Sequence, residues 1–332
     1  MKLRVLAVLV AGTAGFWSCQ SGQAVSEHSA PAAPPPPAAP IRSGAAPVAT
    51  PSGDVEFHAV LDLAQTPRPN EPELRGGREA ASAEWPASLY ATFAARGGTA
   101  ACTAALIGPA VLLTAAHCVP AVGTITFRYN GHPAPYMAAC TRHPDFGSET
   151  DRSADFALCT VTPAFDAPAG FLYETVSTSD MTALVNSVVV LTGFGCVSSV
   201  ATGAPFDGKY RIGFATIDET SGSPARTRGD EFYSPRERNN VFTASDPAKI
   251  NLCPGDSGGP AFARTGEGAG HSSRTIVGVA SRVFSDGAGT GFGSSVISAT
   301  GGPGFRGWAE RWLQSSGAAA CGLAGRLPTC RN

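Results

Sequence analysis

Apolar residues along this chain come in short runs rather than in long stripes. Residues 87–93, 104–113, 124–129, 156–161, 187–191, 210–217 and 276–283 are each rich in Val, Ile, Leu or aromatics, and Gly, Pro and Asn punctuate them. Runs of that length bounded by turn formers predict β-strands, and a succession of them predicts an antiparallel all-β domain. One segment breaks the pattern. Phe305, Trp308, Ala309, Trp312 and Leu313 recur at three-to-four spacing, which predicts a helix near the C-terminal end with its tryptophans packed on the strands.

Upstream of residue 74 the pattern stops. Residues 1–19 place Lys2 and Arg4 before an apolar run over 5–10 that continues through small residues to Phe16 and Trp17, the layout of an export signal. The run is shorter than the roughly 20 apolar residues a spanning helix needs, so no integral span is expected. Phe16-Trp17-Ser18-Cys19 resembles the lipobox of bacterial lipoproteins, although Phe16 and Trp17 are bulkier than that pattern prefers. Lipid attachment through Cys19 and ordinary signal cleavage nearby both stand. Residues 20–51 are Ala, Pro and Ser with four consecutive prolines, Pro34 to Pro37, at their centre. Such a segment buries too little apolar surface to order itself and reads as a disordered linker, with a ligand for a polyproline-binding module as the alternative. Residues 52–73 hold one strand-like run, 55–63, and a turn-rich stretch, 66–72, and read as a propeptide or linker.

Composition fits one strand-rich domain with extensions. The chain has 332 residues, 43% hydrophobic and 15% charged, and all-β barrels of about 200–250 residues commonly fold as one unit. A formal net charge of -2 leaves no basic footprint for nucleic acid and no strong field toward a charged partner. Nine cysteines leave one over if the rest pair, and Cys19 is the one outside any plausible folded core.

Three segments carry chemistry. Gly255-Asp256-Ser257-Gly258-Gly259-Pro260 sets a serine in a glycine-rich turn, Thr114-Ala115-Ala116-His117-Cys118 supplies a histidine, and Asp155-Phe156-Ala157-Leu158 runs a carboxylate into an apolar strand. A serine hydroxyl is a weak nucleophile at neutral pH and needs a histidine to take its proton and a carboxylate to hold that histidine. Asp151 and Asp145 lie nearby, but only Asp155 enters an apolar run, as a buried orienting carboxylate should. The order His, Asp, Ser and the wording of the segments resemble the trypsin and chymotrypsin family of serine proteases. The resemblance covers roughly residues 74–313, including Gly76-Gly77-Arg78-Glu79-Ala80 and Trp85-Pro86. It implies a chymotrypsin-like fold, two packed six-stranded antiparallel β-barrels with a C-terminal α-helix, in a protease domain over 74–314 followed by a tail over 315–332.

The resemblance also implies roles. His117 would be general base and then general acid, Asp155 its orienting acid, and Ser257 the nucleophile, with the N–H groups of Gly255 and Ser257 forming the oxyanion hole. Asp256 would pair with an N-terminal ammonium freed at Leu74 by cleavage after Glu73, although Arg75 departs from the β-branched residue usual there. Asn251 would floor the specificity pocket, where cutters at Arg and Lys carry an aspartate. Ser281 and Val283 would line the substrate strand, and Gly291 would form the opposite wall. Lacking that carboxylate, the pocket would prefer small or medium uncharged side chains before the scissile bond. Cys102 with Cys118 and Cys140 with Cys159 match family bridges. The usual partner of Cys253 is missing between Ser281 and Gly293, so Cys253 is paired with Cys196, and Cys321 with Cys330 closes the tail. Zinc is the competing use of cysteine, but no ligand-spaced cluster occurs, and neither metal nor cofactor is expected. The reading is an exported serine endopeptidase acting on proteins or peptides, a monomer, located outside a bacterial cell, in its periplasm or anchored at its outer membrane. A catalytically idle protease-fold module that binds protein partners is the other class.

Overall fold

The computed structural model describes residues between 74 and 331, with breaks at 75–76, 82, 96–97, 120–122, 130–133, 148–150, 196–207, 222–235, 245–249, 254, 264–272, 286–291 and 324–326. The export signal, Cys19, the Ala/Pro linker, the strand-like run 55–63, Glu73, Cys196 and Gly291 all lie outside the described residues.

Strands dominate: β1 Arg78–Glu79, β2 Ser88–Ala95, β3 Gly98–Gly108, β4 Val111–Thr114, β5 Thr124–Phe127, β6 Tyr136–Arg142, β7 Ala157–Thr162, β8 Thr175–Val176, β9 Val188–Gly193, β10 Arg211–Thr220, β11 Asn240–Thr243, β12 Pro260–Ala263, β13 Thr275–Ser285 and β14 Phe292–Ala299, then helix α1 Phe305–Ser316. Two six-stranded antiparallel barrels result. The first closes in the order β2-β3-β4-β7-β6-β5. The second closes because β9 pairs both β12 and β10, completing a ring through β11, β14 and β13, with β1 added on β10 and β8 on β13.

The continuous apolar runs have a geometric cause. Side chains alternate faces along a strand, and here both faces are covered. On β3, Ala104 and Leu106 point into the first barrel, whereas Ala105 and Ile107 join a second cluster with Tyr210, Ile212, Phe262 and Trp308 between the barrels. Leu112 and Leu113 on β4 divide the same way, as do Val189 and Val190 on β9 between the second barrel's interior and the seam. Strands buried on both faces have no reason to alternate with polar residues.

Some expectations need adjusting. The run 104–113 is two strands, because Pro109 and Ala110 make the turn at which Leu106 comes opposite Leu112. Strands β6, β11, β12 and β14 were not foreseen; β6 is written in small and polar residues, with Tyr136 and Ala138 in and Met137 out. In α1 Phe305, Trp308, Ala309 and Leu313 are buried, but Trp312 is only partly so. Gly317, in the left-handed region, ends the helix. The chain beyond it docks on the first barrel, where Cys321 N donates to Ile107 O at 2.7 Å and Tyr173 N to Thr329 O at 2.9 Å.

Candidate active site

Strand pairing brings His117 to Asp155. β4 and β7 pair Thr114 with Ala157, and carrying that antiparallel register two residues further sets Ala116 opposite Asp155. His117 sits in the 3-10 turn Ala116–Cys118 that follows β4. Its backbone N–H donates to Asp155 Oδ1 at 2.9 Å, and its Nδ1 is 2.7 Å from Oδ2. Asp155 is 2% exposed against 37% for the imidazole. A carboxylate at Nδ1 keeps the proton on that nitrogen and leaves Nε2 as the acceptor. Ser281 Oγ donates a third bond to Asp155 Oδ2 at 2.7 Å. Sequence reasoning placed Ser281 only on the substrate strand, and nothing in a residue 126 positions away announces the bond. Asp151 is used differently: its Oδ1 accepts from Ser153 N and Oγ, capping the turn before Asp155.

Ser257 is tied to the same place from the second barrel. Thr103 N donates to Ser257 O at 2.8 Å and Thr103 Oγ1 to Gly255 O at 3.0 Å. Thr103 follows Cys102, whose disulfide partner Cys118 follows His117. The turn needs its glycines: Gly255 and Gly258 have φ of 100° and 82°. A Cβ on Gly258 would also lie 2.1 Å from Thr114 Oγ1, so only hydrogen lets the serine turn close on the end of β4.

The family model described as Trypsin matches the chain over residues 74–299, the segment that holds both barrels and the His117, Asp155 and Ser257 turns. The chain belongs to the trypsin family. Among solved structures, neuropsin, a serine protease expressed in the limbic system of mouse brain, is 16% identical with a TM-score of 0.52, covering 72% of this chain and 98% of its own. The structure of GrC is 19% identical with a TM-score of 0.56, covering 72% of this chain and 99% of its own. At these identities the likeness is one of fold. No curated protein matches the chain.

Beside Ser257 the trypsin-family domain has a cavity of about 280 Å³. Leu252, Ala280 and Val283 make its apolar wall, and Ser257, Ser281 and Arg282 are its polar members. Val283 and Ser281 thus stand on the wall as the substrate strand was read. Asn251 does not: it is fully buried, its amide oxygen 3.4 Å from Ser295 Oγ, and the wall begins at Leu252. Arg282 was overlooked although it lies between Ser281 and Val283. Ligand atoms of Cys102, His117 and Cys118 lie within 4.8 Å of one another, but both sulfurs are spent in the disulfide and offer no thiolate to a metal.

Asp256, next to the serine, is 1% exposed. Its carboxylate accepts from Gly195 N and Cys253 N, both at 2.8 Å. Burial pushes its pKa up to about 7, outweighing those two bonds and the charge of Arg211. Leu74 keeps its side chain in the second barrel's core with Ile250 and Leu252, and no hydrogen bond or ion pair joins it to Asp256 among the described residues. Disulfides link Cys102 with Cys118, Cys140 with Cys159, and Cys321 with Cys330. Cys253 is disulfide-bonded as well, to a partner outside the described residues.

Proposed function

We propose that this chain is a serine endopeptidase working through an acyl-enzyme. The observation that carries the proposal is Asp155, buried and bonded by His117 and Ser281, at the seam where Ser257 lines a cavity. Ser257 Oγ attacks the scissile carbonyl as His117 Nε2 takes its proton, and Asp155 stabilises the imidazolium through Nδ1–H. The N–H groups of Gly255 and Ser257 receive the oxyanion; among the described residues neither donates elsewhere. His117 then returns the proton to the departing amine, a water takes the amine's place, and the same two transfers free the acid and the enzyme.

The pocket reading follows from the same wall. A cavity of about 280 Å³ bounded by Leu252, Ala280 and Val283 suits a small or medium uncharged side chain before the cut bond. Activation is proposed at Glu73-Leu74. In the uncleaved chain the ionised form of Asp256 is disfavoured, and an ammonium at Leu74, whose side chain the second barrel already grips, would restore it. The disulfides support an oxidising compartment and hence export; attachment through Cys19 rests on the sequence alone.

A serine-directed phosphonate carrying a small uncharged side chain tests the reading. Labelling of the processed protein, lost in Ser257→Ala and retained when a surface serine is replaced, is the expected result. Absence of labelling in correctly processed protein would refute it.

A further inference from the structure

One wall of the cavity beside Ser257 is cationic. Arg282 lies on that wall between Ser281 and Val283. Its Nη1 donates to Arg152 O at 3.0 Å, and its Nη2 reaches Glu237 Oε2 and Asn240 Oδ1. Arg152 Nε in turn donates to the other oxygen of the same carboxylate, Glu237 Oε1, at 2.7 Å. Glu237 is 6% exposed and also accepts from Asn240 Nδ2 at 2.8 Å, so it is a fixed anchor and not a mobile counter-ion. Two guanidiniums, which stay charged at any working pH, share this one carboxylate. Asp155, whose charge also reaches Arg282, is buried and takes its bonds from His117 and Ser281. The outer of the two arginines is Arg152: it is 51% exposed, and beyond its Nε bond its guanidinium has no partner among the described residues.

We propose that Arg152 and Arg282 form a subsite for a carboxylate, so that the enzyme prefers substrates with Asp or Glu within a few residues of the scissile bond. This rests on the peptidase reading above and refines it: the cavity takes an uncharged side chain, and the arginine wall reads an acidic neighbour. The ligand's chemistry follows from the wall. A planar guanidinium held by its Nε presents its remaining N–H pair to a carboxylate in two-point geometry, whereas a lysine or arginine on the substrate would meet like charge, and an apolar side chain would strip water from Arg152 without replacing its bonds.

A peptide library settles it. Each member keeps a small residue before the cut bond and places Asp, Asn or Lys at one flanking position, and processed protein that reacts with the phosphonate is used. At one position Asp should exceed Asn by about tenfold in kcat/KM, the scale of one charge-assisted hydrogen bond partly open to water, and the ratio should shrink in high salt. Arg152→Glu should invert the order, favouring Lys over Asp at that same position, with each ratio read within one protein so that a change in overall activity drops out. Thermal melting checks that the variant folds. Equal cleavage of Asp and Asn peptides at every position, or an Asp preference untouched in Arg152→Glu, would overturn the subsite while leaving the peptidase reading intact. A processed protein that takes no phosphonate would overturn both.

Discussion

Removing residues 318–332, which lie beyond the family match, should cost this protein much of its stability. The segment is stitched to β3, β8 and the stretch leading into β8 by four backbone hydrogen bonds: Cys321 N to Ile107 O, Val176 N to Cys321 O, Tyr173 N to Thr329 O, and Arg331 N to Tyr173 O. At a net of about 1 kcal/mol each these amount to roughly 4 kcal/mol. Side chains add to this. Arg331 pairs with the fully buried Glu174, which keeps Arg274 as its other partner, and Thr175 Oγ1 donates to Arg331 O. Ala320 and Cys321 are fully buried, and burial of two small side chains adds about 1–2 kcal/mol. The Cys321–Cys330 bridge does not enter the sum, because deletion removes the whole loop it closes. The total, about 5–6 kcal/mol, compares with the roughly 5–15 kcal/mol that holds a typical domain folded. Urea denaturation of the full domain and of the truncated one, both carrying Ser257→Ala to prevent self-digestion, measures the difference. A midpoint shift worth less than about 1 kcal/mol would show that the tail lies on the barrel without supporting it.

Two further predictions concern the site. Ser281→Ala removes one donor to Asp155 while leaving both His117 bonds, and should lower kcat/KM by about 10- to 100-fold, the scale of one hydrogen bond to a charged group, with little change in melting temperature; unchanged steady-state kinetics would remove Ser281 from the positioning of His117. Asp256 has a folded pKa raised to about 7 from 3.8, so between those values the folded chain holds a proton that the unfolded chain has released, and stability falls as pH rises through that window. Asp256→Asn in the uncleaved chain should therefore stabilise by a few kcal/mol more at pH 8 than at pH 4 on this linkage, and equal melting shifts at the two pH values would count against a neutral buried carboxyl.

The serine turn, the histidine turn and the Asp155 segment were legible because local chemistry dictates them. A turn at positive φ that must also close on Thr114 leaves glycine at 255 and 258, and a carboxylate about to enter a two-sided buried strand stands out in front of Phe156. Strands such as β4 and β9, covered on both faces and written mainly in Val and Leu, were equally plain, whereas β11 and β12 are just as buried but only four residues long, too short to stand out. Strands such as β6, built of small and polar residues, were hidden: their side chains carry no period strong enough to read until a partner strand supplies it.

The sequence on its own thus determined the candidate reacting groups, the number of cysteines to be joined and the all-β character of the domain, because each depends on residue type within a few neighbours. Tertiary structure alone decided which distant groups touch. Ser281 meets Asp155, Arg282 and Arg152 share Glu237, Ser295 bonds the buried Asn251, and the last residues return to cover β3 and β8. Hydrogen bonds and ion pairs of that kind form between side chains scores of positions apart, and only the register of the closed barrels sets their distances.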